Sequence, residues 1–146
     1  ARFGAALAAL DEAVAALPRQ HVLYVIWKKP WMSVSRDTYI SRTLARAGID
    51  TLPAEAARRY PQIDDADPVW RDAERILLST EPYAFRARDV DALQRATGKP
   101  VALIDGEWTS WYGVRAIEGL HALAAFRRGD ITPSRRAAGS ASRSTS

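Results

Sequence analysis

Three short runs of consecutive apolar residues divide the chain and predict buried β-strands. They span His21–Trp27, Arg75–Ser79 and Val101–Asp105. Each run is rich in Val, Ile and Leu and does not alternate with polar residues, which is typical of strands covered on both faces of a parallel sheet.

Helical periodicity occupies the intervals around these strands. A stripe of apolar residues spaced three or four apart covers positions 3–17 and stops at Pro18. Similar stripes predict three further helices, each followed by glycine: Arg36–Ala47, Asp89–Thr97 and Gly113–Arg128. Asp37 is suited to cap the first of these three. A short strand or loop near Thr51–Pro53 and a short helix after Pro68 complete the pattern.

Buried strands that alternate with helices predict right-handed βαβ units. The expected fold class is therefore α/β, with a parallel sheet between two helical layers. We see no internal repeat in the 146 residues, which are enough for one domain with a sizeable core.

Charge and composition exclude several function classes. The net charge is +4, but five of the 21 basic and one of the 17 acidic residues lie at or beyond Arg127, so positions 1–126 are neutral. A nucleic-acid-binding domain carries a basic face instead, and we expect no nucleic-acid partner. No apolar run approaches the roughly 18–20 residues that span a bilayer, which predicts no membrane insertion. The chain has no cysteine, which excludes disulfides and thiolate metal sites.

Aromatic residues are concentrated in three segments at the ends of the predicted strands: Trp27–Met32, Thr80–Phe85 and Asp105–Tyr112. These segments hold seven of the 13 aromatic residues, although loops ordinarily favour small polar ones. Ligands of open α/β sheets bind beyond the carboxyl ends of the strands, so flat rings there indicate a large apolar or π-rich ligand. The candidate ligand-binding residues are Trp27, Pro30, Trp31, Met32, Glu81, Pro82, Tyr83, Phe85, Asp105, Glu107, Trp108, Ser110, Trp111, Tyr112 and Arg115.

The polar members of this set leave the chemistry open. Glu81 and Asp105 each follow a strand end, where a carboxylate pair can transfer protons, bind a hard cation or accept hydrogen bonds from ligand amides. Arg115 either orients a ligand or pairs internally with one of these carboxylates. No nucleophile elbow, phosphate-binding glycine loop or His-Glu-x-x-His pattern is present. His21 and His121 are expected at the surface or core edge, so no metal site is predicted.

Several stretches occur together in a recognisable order across residues 5–126. They are Val22–Met32, Asp37–Gly48, Arg59–Pro61, Leu77–Phe85 and Asp105–Arg115. In this combination the chain resembles the cobalamin-binding, helical-backbone metal receptor family of ABC transporter substrate-binding proteins. The Glu-Pro-Tyr-x-Phe and Ser-Trp-Tyr-Gly-x-Arg patterns are the most specific.

The resemblance implies a domain organisation and a setting. Residues 1–18 would be the end of a helix that joins two Rossmann-like lobes, 19–129 the C-terminal lobe and 130–146 a disordered basic tail. An N-terminal lobe would precede Ala1. The protein would be a monomer in the periplasm or anchored to the cell surface, docking to an ABC permease. Ala45 stands where family members carry a docking glutamate, which puts that docking in question.

The expected function is a non-enzymatic binding lobe with no intrinsic cofactor. Its ligand would be cobalamin or a similar metal chelate, such as another corrinoid, haem or a siderophore complex. The expected apolar wall is Trp27, Trp31, Tyr83, Phe85, Trp108 and Trp111. Two alternatives stay open: a small hydrolase or isomerase that uses Asp105 and Glu107, and a ligand sensor without a transporter, which Ala45 favours.

Overall fold

The computed structural model describes residues 2–109 and 114–129 of the chain. The helices are α1 (Arg2–Val14), α2 (Tyr39–Arg46), α3 (Val69–Asp72), α4 (Ala87–Thr97), a 3-10 helix (Gly106–Thr109) and α5 (Val114–Arg128). The strands are β1 (Gln20–Trp27), β2 (Trp31–Ser33), β3 (Ile49–Leu52), β4 (Gln62–Ile63), β5 (Arg75–Ser79) and β6 (Val101–Ile104).

The strands form one mixed sheet in the order β4-β2-β1-β5-β6, with β3 also paired to β1. β1 runs parallel to β3 and β5, and β5 runs parallel to β6. Because β3 pairs with the first half of β1 and β2 with its end, the two share one edge of that strand. The predicted α/β class is confirmed.

One edge of the sheet is antiparallel, which the sequence pattern did not predict. β2 pairs antiparallel with β1, and β4 pairs antiparallel with β2. The turn between β1 and β2 covers residues 28–30, which is too short for the crossover that a parallel strand needs. A three-residue and a two-residue strand also leave no periodicity in the sequence, so the pattern placed both in loops.

Side chains of β1 alternate between two cores, as a sheet covered on both faces requires. Val22, Tyr24 and Ile26 pack in one cluster with residues of α1, α2 and α5. Leu23 and Val25 pack in a second cluster with residues of α3 and α4. The three predicted layers, helix–sheet–helix, are therefore present.

Helix ends agree with the sequence at the glycines and differ at two other points. Gly98 is the left-handed C-cap of α4, with φ of 71°, and its N–H donates to the Gln94 oxygen. The cap of α2 is Thr38, whose side chain accepts from the Ser41 N–H at 3.1 Å, and not the predicted Asp37. α1 ends at Val14, before the predicted stop, and Leu17 is 37% exposed.

Candidate ligand-binding site

A cleft of about 420 Å³ opens at the carboxyl end of β1. Its lining combines strand, helix and loop residues: Ile26, Trp27, Met32, Ile40, Tyr60, Glu81 and Pro82. This is the edge of the sheet at which the parallel strands β1 and β5 both end, so the topology alone brings the first and second aromatic-rich segments together.

The indole of Trp27 forms one wall of the cleft. Trp27 is the last residue of β1 and is 40% exposed. Tyr83 supports its side, with the two ring centroids 5.5 Å apart and the planes at 76°. Met32 is the register partner of Trp27 on β2, so the hairpin places its thioether beside the indole.

Glu81 contributes a carboxylate to the cleft from the loop after β5. The loop is held by the Ser79 hydroxyl, which donates to the Glu81 backbone oxygen at 2.6 Å, and by the Gly106 N–H, which donates to Thr80 Oγ1 at 3.1 Å. A β-carbon on Gly106 would lie 2.5 Å from Glu81 Cγ. Glycine at this position therefore leaves the space in which the Glu81 side chain lies.

Trp31 and Phe85 do not line this cleft, although both belong to the predicted wall. Phe85 is only 3% exposed and lies in the second core cluster, against which Trp31 packs. The two rings are parallel, with centroids 6.4 Å apart, and Trp31 also meets Trp70 edge-on at 5.5 Å. Together with Tyr83, they form an aromatic layer behind Trp27.

The third aromatic-rich segment has a different position. The Asp105 carboxylate accepts a hydrogen bond from the Glu107 N–H at 2.9 Å and so caps the 3-10 helix. Trp108 meets Phe126 at 6.2 Å and lines a separate cavity of about 210 Å³ between α1, α2 and α5. Asp105, Glu107 and Trp108 are therefore not part of the lining that holds Glu81.

The other predicted residues divide into two groups. Pro30 lies in the exposed turn between β1 and β2. Ser110, Trp111 and Tyr112 lie outside the described residues, and so does the side chain of Arg115.

Three lining residues were not predicted as site residues: Ile26, Ile40 and Tyr60. The first two were assigned to the core because they belong to apolar strand and helix patterns. Tyr60 is 43% exposed and precedes a proline, and an exposed aromatic ring in a polar loop was the signal for it.

The cleft carries little charge. Glu81 is the one acidic or basic residue in its described lining. The nearby ammonium of Lys28 turns away to the Asp89 carboxylate, at 3.1 Å. Burial raises the pKa of Asp89, but the Arg86 N–H and Lys28 outweigh this and hold that pKa below its usual value.

No cluster of three or more metal-ligating side chains occurs among the residues with described positions. His21 is exposed and lies 3.5 Å from Glu74, and His121 is exposed on α5. Within 2–109 and 114–129, no helix has the length and apolar character that crossing a bilayer requires.

Comparison with solved structures gives several matches in fold. The periplasmic vitamin B12 binding protein BtuF of Vibrio cholerae matches with a TM-score of 0.65 and 15% identity, over 87% of this chain and 51% of that one. The periplasmic heme-binding protein RhuT from Roseiflexus sp. RS-1 matches with a TM-score of 0.67 and 17% identity, over 88% and 54%. An ABC-type Fe3+-hydroxamate transport system from Saccharomonospora viridis matches with 0.57 and 17%, over 87% and 47%.

The chain has the fold of a periplasmic binding protein. The resemblance predicted from its sequence is confirmed at the level of fold. The chain spans about half the length of these structures. No family model and no curated protein matches it.

Proposed function

We propose that the chain is the C-terminal ligand-binding lobe of an ABC-importer substrate-binding protein whose ligand is a metal chelate. The observation that carries this proposal is the cleft at the carboxyl end of β1, with its exposed Trp27 indole. An apolar cleft with one wall of flat aromatic surface suits a large planar ligand. The neighbours in fold include proteins described as binding vitamin B12 and heme.

The donor groups favour a metal that arrives already chelated. The cleft offers a thioether, a phenol and one carboxylate, and no described histidine lies in its lining. A bare transition-metal ion needs three or four convergent nitrogen, oxygen or sulfur ligands. A chelated metal has these ligands already, so the protein needs to recognise only the surface of the chelate.

The lobe organisation, partner and location belong to the same proposal. A second lobe would form the opposite wall of the site, as the half-length matches suggest. The protein would act in the periplasm or at the cell surface and deliver its ligand to an ABC permease. Ala45 is half-buried on α2 and its backbone oxygen accepts from Arg19 at 2.9 Å, so docking would depend on other acidic residues.

The geometry favours binding over the hydrolase or isomerase alternative. Asp105 is engaged in capping the 3-10 helix, and neither it nor Glu107 lines the cleft. An acid–base pair that acted on a ligand bound in this cleft would have to line it.

Calorimetric titration of the two-lobed protein, in which this chain is joined to its proposed second lobe, with cobalamin, haem and a ferric hydroxamate tests the proposal. We expect saturable binding of at least one, weakened about tenfold, or ~1.4 kcal/mol, by Trp27→Ala. Leu17→Ala is the matched control, because Leu17 is similarly exposed at 37% and lies outside the cleft. Absence of binding by all three chelates would refute the proposal, and equal effects of the two substitutions would move the site away from the cleft.

A further inference from the structure

We infer that this cleft selects metal chelates whose periphery carries amide or amine donors and discriminates against chelates that carry carboxylates. The inference rests on the proposed function and adds the charge class of the ligand to it. It follows from the position of Glu81 and from the directions in which the neighbouring cations point.

The charge of the cleft is set by Glu81. Its side chain is exposed and lies in the lining beside Ile26 and Trp27, whose apolar surfaces exclude water on one side. A charge against apolar surface is less screened than one surrounded by water. A ligand carboxylate placed against this wall would meet a like charge, whereas an amide N–H or an ammonium would find an acceptor.

No cation with a described side chain lines the cleft, and this includes Arg59, which adjoins the lining Tyr60, and Arg42, two residues from the lining Ile40. Lys28 is committed to Asp89 at 3.1 Å. Arg36 donates from Nε to the Thr51 backbone oxygen at 2.9 Å. Neither these side chains nor that of Lys29 lines the cleft in the described part of the chain.

The backbone that carries Glu81 is held in place by its neighbours. Glu81 Cγ lies over Gly106, and the Ser79 hydroxyl donates to the Glu81 backbone oxygen at 2.6 Å. Since the β-carbon is missing at position 106, the side chain has room to extend along the cleft wall. A carboxylate on such a backbone gives specificity for the charge and hydrogen-bonding character of the ligand.

A pair of ligands with one ring and two peripheries tests the inference. The first probe, the acid ring, is dicyanocobyrinic acid, whose side chains are carboxylates. The second, the amide ring, is the same compound with these carboxylates converted to amides, which are neutral donors around the same ring. We expect the amide ring to bind at least tenfold more tightly than the acid ring to the two-lobed protein without substitutions. Glu81→Gln should narrow that preference about tenfold, and Glu81→Lys should reverse it. Glu12→Gln, an exposed change on α1 outside the cleft, should leave it unaltered.

The outcomes separate the two proposals. Failure of both rings to bind, with haem and a ferric hydroxamate also negative, would overturn the chelate-binding function itself. Binding of the acid ring as tightly as the amide ring would overturn only the charge selectivity. A preference that survives Glu81→Gln unchanged would also overturn it, because the selectivity would then come from another group. Circular dichroism of each variant confirms that the fold is retained.

Discussion

Replacing Gly106 with alanine would place a side chain where the loops after β5 and β6 touch. Gly106 is buried, and its φ lies outside the left-handed region, so the cost of the change comes from space alone. The new β-carbon would lie 2.5 Å from Glu81 Cγ and 2.7 Å from Ser79 Oγ. Contacts this short require one of the neighbours to move.

The size of the effect follows from which neighbour can move. The Glu81 side chain is exposed and can rotate away at small cost, whereas Ser79 is 1% exposed and its hydroxyl donates to the Glu81 oxygen. Leaving a buried hydroxyl unpaired costs about 1–3 kcal/mol. Overpacking adds roughly 1–3 kcal/mol. Because part of the overlap is relieved through Glu81, we expect Gly106→Ala to lower the free energy of unfolding by about 2–4 kcal/mol.

Urea denaturation followed by circular dichroism measures this loss. Gly4→Ala is the control, because nothing lies within 4 Å of a β-carbon there and stability should stay equal or rise by up to about 1 kcal/mol. The double variant with Ser79→Ala should cost less than the sum of the two single changes, since one atom of the overlap is gone. A loss below about 0.5 kcal/mol for Gly106→Ala, or strict additivity, would refute the packing described here.

Three further predictions concern the elements around the cleft and use the same denaturation assay. Thr38→Ala should cost about 1 kcal/mol because it removes the cap of α2, while Asp37→Ala should be nearly neutral; equal losses would contradict the cap assignment. Phe85→Ala should lower the free energy of unfolding by about 3–5 kcal/mol because the ring is buried, whereas Trp27→Ala should lower it much less. A larger loss for Trp27→Ala would contradict the assignment of Phe85 to the core. The pKa of Asp89 lies below its usual value in the folded chain. The ionised carboxylate therefore stabilises the fold fully above about pH 5, and this stabilisation is lost as the pH falls through the pKa of the folded state. The stability gap between the unmodified chain and Asp89→Asn should therefore shrink towards acid, and a gap independent of pH would argue against the ion pair.

The hydrophobic pattern alone was sufficient to predict the α/β class and the main elements. β1, β5 and β6 pair with parallel neighbours and are covered on both faces of the sheet. Strands buried in this way have continuous apolar runs, and these runs identify them in the sequence. The helices have apolar residues spaced three or four apart because one face of each packs on the sheet. The same order of elements located the cleft, since parallel strands must end at a common edge.

Local sequence also identified Trp27, Met32, Glu81 and Pro82 as members of one site. Trp27 ends β1, and Glu81 and Pro82 follow β5, so the parallel pairing of those strands brings them together. The antiparallel hairpin of β1 and β2 adds Met32. The prediction that they bind ligand remains a proposal.

The positions of the remaining side chains depend on tertiary packing. β2 forms a strand because the edge of β1 is open to pairing there. Three residues are too few to show a strand pattern in the sequence. Phe85 lies in the core and Trp27 in the cleft, although both are aromatic residues of strand-end loops, because the surroundings of each are built by distant segments. Tyr60 lines the cleft from the loop before β4. The Asp105 carboxylate accepts a hydrogen bond from the Glu107 N–H, two residues away. Packing between residues far apart in the chain decides which ring is exposed and which carboxylate is available. A single sequence does not show which distant residues come into contact.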